Sequence, residues 1–201
     1  MTALDRVNIS FEAGKIYGIT GRNGSGKTVL FKIMIGYLKP TGGRVIVGDR
    51  EIGKDIDFPD NMGIIIENPG FLNRYSGYKN LEYLASIRKI IGKEQIRESM
   101  ERVGLDQDSK KRVGKYSLGM KQRLGIAQAI MENPDILILD EPMNGLDNQG
   151  VDDVRNILLK LKEEGKTIIL ASHNKEDIEI LCDEVYEMEH GKLNKSPGGF
   201  I

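Results

Sequence analysis

Gly21-Arg22-Asn23-Gly24-Ser25-Gly26-Lys27-Thr28 matches G-x-x-x-x-G-K-[ST] at every fixed position. It follows the apolar run Ile16-Tyr17-Gly18-Ile19-Thr20 and precedes a segment with helical spacing. Glycines at 21, 24 and 26 let the backbone take positive φ and approach a ligand closely, so that successive amide N–H groups converge on phosphate oxygens. The helix that follows adds its positive N-terminal end at the same point. Lys27 brings a compact cation to the β and γ phosphates, and the Thr28 hydroxyl suits Mg²⁺. The candidate nucleotide-binding set is therefore Gly21, Arg22, Asn23, Gly24, Ser25, Gly26, Lys27, Thr28 and Val29.

On the N-terminal side, Val7 to Phe11 alternates apolar and polar residues, and Glu12-Ala13-Gly14-Lys15 is a turn. This predicts a hairpin feeding the loop. On the C-terminal side, Val29, Leu30, Ile33 and Met34 predict a helix ended by Gly36 and Pro40-Thr41-Gly42-Gly43, with further strands at Arg44–Val47 and Met62–Ile66.

From about 71 to 133 the character changes to helical. Leu81, Leu84 and Ile91 mark one helix, Ile96, Met100 and Val103 a second, and Met120, Leu124, Ala127 and Met131 a third. After the Asn133-Pro134 break, Ile136 to Leu139 and Thr167 to Ala171 read as strands buried on both faces. Val151, Val154, Leu158 and Leu161 form the core stripe of a helix that Gly165 terminates, Asn174 to Leu181 is another helix, and Val185 to Glu189 a last strand. Strands alternating with helices predict an α/β fold: a P-loop NTPase with a mostly parallel core sheet, antiparallel N-terminal strands and a helical insert subdomain.

Composition narrows the function. A chain of 201 residues with 39% hydrophobic content supports one compact domain, and a net charge of −1 gives no bulk electrostatic argument for nucleic acid. The single cysteine, Cys182, excludes an intrachain disulfide and reads as a buried helix residue beside Leu181. No run reaches the length needed to cross a bilayer and the N-terminus lacks a signal pattern, so the chain is expected to be cytoplasmic, held at a membrane only through a partner.

A phosphate loop alone leaves kinases, GTPases and motor ATPases open. Ile136 to Leu139 leads into Asp140-Glu141, two carboxylates at the strand end where a parallel sheet presents ligands. Asp140 is suited to hold Mg²⁺ and Glu141 to orient and polarise an attacking water. Two adjacent acids at a buried strand end repel without compensation, a role for Mg²⁺ and Lys27.

Tyr116-Ser117-Leu118-Gly119-Met120-Lys121-Gln122-Arg123 resembles the signature motif of ATP-binding cassette (ABC) ATPases, usually Leu-Ser-Gly-Gly-Gln. Ser117 and Gly119 match; Tyr116, Leu118 and Met120 depart. Taken alone, Ser117 is a helix cap. The resemblance implies that Ser117 and Gly119 contact the γ phosphate of ATP held by a second ABC subunit, in a homodimer. Asn144-Gly145-Leu146-Asp147 resembles the family's D-loop, which implies a dimer contact at Asp147. Ser172-His173 resembles the switch histidine, which implies that His173 meets the γ phosphate and the attacking water. His190 reads as a surface residue.

At the end of Met62 to Ile66 the family has glutamine and this chain has Glu67, an oxygen donor for Mg²⁺ with added charge. Glu67 and the unusual signature together resemble the ABC ATPases paired with exporters that protect bacteria from bacitracin and lantibiotics. The resemblance covers nearly the whole chain: one ABC ATPase domain over 1–201, with 1–70 and 134–201 as RecA-like core and 71–133 as the signature subdomain. In the family a strand upstream of the segment matching Ala3 to Val7 carries an aromatic residue that stacks on adenine; either that strand lies outside this sequence, or adenine is held by another residue, for which Phe11 is a candidate.

The expected function is ATP hydrolysis with Glu141, His173 and Lys27 as catalytic residues and Thr28, Asp140 and Glu67 around Mg²⁺. ATP-driven dimerisation would power a separate polytopic membrane permease. The alternatives are a soluble ABC ATPase of DNA repair or translation, and an inactive nucleotide-binding module. No sustained heptad run separates Thr28 from Tyr116 as repair members require, there is one cassette rather than two, and the Lys27, Asp140, Glu141 and His173 set is intact.

Overall fold

The computed structural model describes residues 2–67 and 69–196. The elements are β1 (Ile16–Thr20), α1 (Lys27–Met34), β2 (Ile46–Val47), β3 (Arg50–Glu51), β4 (Met62–Ile65), α2 (Gly77–Arg88), α3 (Lys93–Arg102), α4 (Leu118–Ile130), β5 (Ile136–Asp140), α5 (Asn148–Glu163), β6 (Thr167–Ala171), α6 (Lys175–Leu181), β7 (Glu184–Glu189) and β8 (Lys192–Lys195). Six strands form one sheet in the order β4-β5-β6-β1-β7-β8, parallel throughout except for β8, which runs antiparallel to β7. β2 and β3 form a separate antiparallel pair.

The central strands are apolar because both faces are covered. Successive residues point to opposite faces, and their burial divides accordingly. Ile16, Leu137, Leu139, Ile168 and Leu170 join one core with α2 to α6. Tyr17, Ile19, Ile138, Ile169 and Ala171 join the other with Leu30 and Phe31 of α1. Helices α2 to α4 lie between β4 and β5 in the chain, and α4 closes on the edge strand at Gly63, where a Cβ would fall 2.1 Å from the Ala129 carbonyl oxygen. Gly18 serves a similar purpose for Cys182, whose Sγ would lie 2.8 Å from a Cβ there.

Parallel register places the C-terminal ends of β1, β4, β5 and β6 along one edge, with Ile19 opposite Ala171, Asp140 opposite Ala171, and Ile65 opposite Leu139. Every predicted catalytic side chain except Lys27, which opens α1, follows or ends one of these strands.

Four local expectations are corrected. Val7 to Phe11 is irregular: Leu4, Val7 and Phe11 pack on the second core, so their alternation marks a buried side rather than strand pairing. Antiparallel pairing near the N-terminus is confined to β2 and β3, within a shorter stretch than Arg44–Val47. Helix α2 ends at Arg88 because Lys89 adopts a left-handed φ of 58°, so Ile91 reaches the core from a loop. Cys182 is the half-buried cap of α6 rather than a residue within it, and burial pushes its thiol up to about 12.

Candidate nucleotide site

The loop after β1 is held from behind. Gly21 adopts φ 138° and lies so close to β7 that a Cβ would fall 2.3 Å from the Met188 carbonyl oxygen. Gly26, at φ 121°, abuts Ala3 and Leu4. The Ser25 carbonyl accepts a hydrogen bond from Gly191 N at 3.0 Å, and Gly191 O in turn accepts one from Asp5 N at 2.8 Å. The turn between β7 and β8 thus clamps the phosphate loop to the N-terminal segment. Position 24 has open space around it, marking the loop's free side.

Lys27 is 8% exposed, and its ammonium donates to the Gly21 and Arg22 carbonyls at 2.7 and 3.3 Å. The Ser25 hydroxyl is buried without a hydrogen-bond partner among the described residues. A buried unpaired hydroxyl is costly and suits a ligand oxygen.

The Thr28 hydroxyl donates to Asp140 Oδ2 at 2.9 Å, joining the start of α1 to the end of β5. A hydroxyl and a carboxylate at this distance are the hard oxygen donors that Mg²⁺ takes alongside phosphate and water. The Glu67 carboxylate pairs with Lys32 of α1 at 2.6 Å, on a side chain 64% exposed. The Glu67 contact raises the Lys32 pKa, and the Asp140 charge adds to it. Thr28 and Asp140 are in direct contact, while Glu67 is engaged by Lys32.

Glu141 leaves β5 with a left-handed φ of 52°, its N–H donating to the Ala171 carbonyl at 3.0 Å. That turn carries its carboxylate to His173, with Oε2 2.8 Å from Nδ1. A carboxylate only accepts, so His173 Nδ1–H donates, leaving Nε2 on a ring whose side chain is 73% exposed. Behind His173, the Ser172 hydroxyl donates to Asp177 Oδ2 at 3.1 Å and accepts from Asn174 N at 3.1 Å. Asp177 is itself paired with buried Arg155.

A second group forms at the start of α4 and α5. Ser117 caps α4, its Oγ accepting from Met120 N at 3.2 Å, and Asp147 caps α5, accepting from Gly150 N at 2.9 Å. A Cβ at Gly119 would lie 3.4 Å from the Gly145 carbonyl, and Leu118 covers Gly145. The Phe11 ring packs edge-on against Tyr17, 4.8 Å between centroids, and lies near Tyr186. His190 is exposed in the turn after β7.

The sequence reading missed Lys32, Gln122, Arg155, Asp177 and the Gly191 clamp. Each acts through a partner distant in the chain, so no local run of sequence marks it.

These features define a phosphate-loop nucleotide site with paired acids and a histidine at the carboxyl edge of a parallel sheet. The model of the ABC transporter family matches residues 4–144, and the chain belongs to that family as an ABC transporter ATPase domain. It is 50% identical over 195 residues to the uncharacterized ABC transporter ATP-binding protein YybJ of Bacillus subtilis, covering 97% of this chain and 89% of that one. It is 43% identical to the bacitracin transport ATP-binding protein BcrA of Enterococcus faecalis, where 96% of this chain spans only 63% of the relative. It is also 37% identical to the lantibiotic transport ATP-binding protein SrtF of Streptococcus pyogenes, covering 96% and 82%. Among solved structures, a dimeric bacterial ABC transporter cassette superposes with a TM-score of 0.86 at 25% identity, covering 98% of this chain and 91% of that one.

Proposed function

We propose that this chain is the ATP-binding and hydrolysing subunit of a transporter, working as a dimer beneath a separate membrane permease. The convergence of Lys27, Thr28–Asp140 and Glu141–His173 on one sheet edge carries the hydrolytic part of this reading. Phosphoryl transfer to water needs positioning and charge neutralisation more than covalent chemistry. Loop amides and Lys27 receive the β and γ phosphates, with the Ser25 hydroxyl as a further donor. Thr28 and Asp140 would hold Mg²⁺, which when bound would supply positive charge to offset that of the phosphates. Glu141 orients the attacking water and draws on its proton, while His173 fixes the carboxylate through Nδ1 and offers Nε2 towards the γ phosphate.

Ser117, Gly119 and Asp147 are proposed to meet a second copy of the chain, so that each nucleotide is closed by two subunits. Dimerisation is supported by the dimeric state of the superposing cassette. The transport role rests on the relatives named for bacitracin and lantibiotic transport, which favour export of antimicrobial peptides over repair or translation. No helix among the described residues is long and apolar enough to cross a membrane. The proposed location, which follows from the proposed permease partner, is the inner face of the cell membrane.

The test is Glu141→Gln. ATP affinity is expected to persist while turnover is mostly lost; hydrolysis at the parental rate rejects the assigned role. Co-purification of the untagged permease with the tagged chain tests the partner.

A further inference from the structure

Glu141 is held in a conformation its own sequence resists. It is a non-glycine residue at φ 52° and stands immediately before Pro142, whose ring further narrows the choices of the preceding residue. Such a pose persists only where neighbours impose it. Two of the restraints are main-chain bonds: Glu141 N to Ala171 O at 3.0 Å, and Asn144 N to Glu141 O at 3.1 Å. The third is a side chain on another element. Gln122 Nε2 donates to Glu141 O at 3.2 Å and to Pro142 O at 2.9 Å. Among the described residues it is the only side-chain donor to either carbonyl.

Gln122 is 8% exposed on the inner face of α4. Its amide carries two N–H donors, and each is spent on one of two consecutive carbonyls, which also fixes which end of the amide faces them. We propose that Gln122 is a positioning residue for hydrolysis, clasping the Glu141 and Pro142 carbonyls so that the Glu141 carboxylate stays aimed at the attacking water.

Helix α4 makes this clasp more than a local brace. Ser117 caps the helix, Gly119 lies in its first turn, and Gln122 follows one turn later on the buried side. A shift of α4 that accompanies contact at Ser117 therefore moves the amide holding Glu141 of the same chain. The γ phosphate of one site is thereby linked to the water-orienting carboxylate of the other. This inference rests on the proposed role of Glu141.

The experiment compares Gln122→Leu, Glu141→Gln and the double variant with the parent chain. Leucine keeps the volume and removes both donors. Since small misplacements of a reacting group cost on the order of 10²-fold, kcat of Gln122→Leu should fall by about 10- to 100-fold, with KM and ATP affinity within about threefold. In the Glu141→Gln background the same substitution should change turnover by less than about twofold, because the carboxylate it positions is gone. A Gln122→Leu kcat within twofold of the parent, beside an inactive Glu141→Gln, overturns the clasp and leaves the Glu141 role standing. An active Glu141→Gln overturns that role instead. A parallel rise in KM with loss of thermal stability would show Gln122 to be merely structural. Should Gln122→Leu fail to fold, amide NMR of the parent chain decides: a clasped Gln122 side-chain NH₂ is protected from hydrogen exchange, and exchange at the rate of a free amide overturns the proposal.

Discussion

Removing the carboxylate of Asp177 probes the support of His173 with a magnitude that follows from the contacts. Asp177 is 2% exposed and Arg155 8%. Oδ1 of Asp177 accepts from Arg155 Nε at 3.0 Å and from its terminal nitrogen at 2.6 Å, and Oδ2 accepts from Ser172. Losing one partner of a buried ion pair costs about 3–5 kcal/mol, since the stranded guanidinium cannot shed its charge. Arg155 keeps Asp152 at 3.3 Å and Glu176 at 2.9 Å, both on exposed side chains, which recovers part of that cost. Asp177→Ala should therefore lose about 2–4 kcal/mol. For a chain of this size that lowers Tm by about 5–15 °C, measurable by calorimetry alongside urea unfolding. Turnover should fall as well, because Ser172 loses the acceptor that frames His173. A loss below about 0.5 kcal/mol would refute the reasoning. The paired replacement Arg155→Met with Asp177→Leu should recover most of the stability, as buried pairs exchanged for apolar groups often do.

Two further outcomes follow from single contacts. Gly63→Ala places a methyl 2.1 Å from the Ala129 carbonyl and must push α4 off β4, destabilising by about 1–3 kcal/mol; unchanged urea unfolding would contradict the close approach. Glu184 is held down from 4.5 to about 2 by hydrogen bonds from Lys195 and Lys15. A depressed carboxyl contributes stability above its unfolded value that is lost as pH falls through the folded one. Glu184→Gln should thus flatten the fall in stability between pH 4.5 and about 2, and an unchanged acid limb counts against the pairing.

The phosphate loop, Asp140-Glu141 and Ser172-His173 were legible because each is a short run at the end of an apolar strand, where one segment encodes both geometry and chemistry. The parallel sheet followed from those same strands. Val7 to Phe11 misled because alternation reports which side is buried and is silent on pairing. The supports of the site were hidden for a different reason. Gln122 with Glu141, Arg155 with Asp177, and Lys32 with Glu67 join residues 19 to 35 apart, and folding alone brings them into contact. Glu67 shows the same limit: its chemistry as an oxygen donor was readable, but its engagement by Lys32 was not.

The central claim is that a site built in one chain is completed by a second copy when ATP binds. Sedimentation of Glu141→Gln with and without MgATP tests it directly. A monomer without nucleotide that becomes a species of twice the chain mass with MgATP, and remains monomeric when Ser117→Arg is added, is the predicted result. A monomer at saturating MgATP, with nucleotide binding intact, would contradict the account.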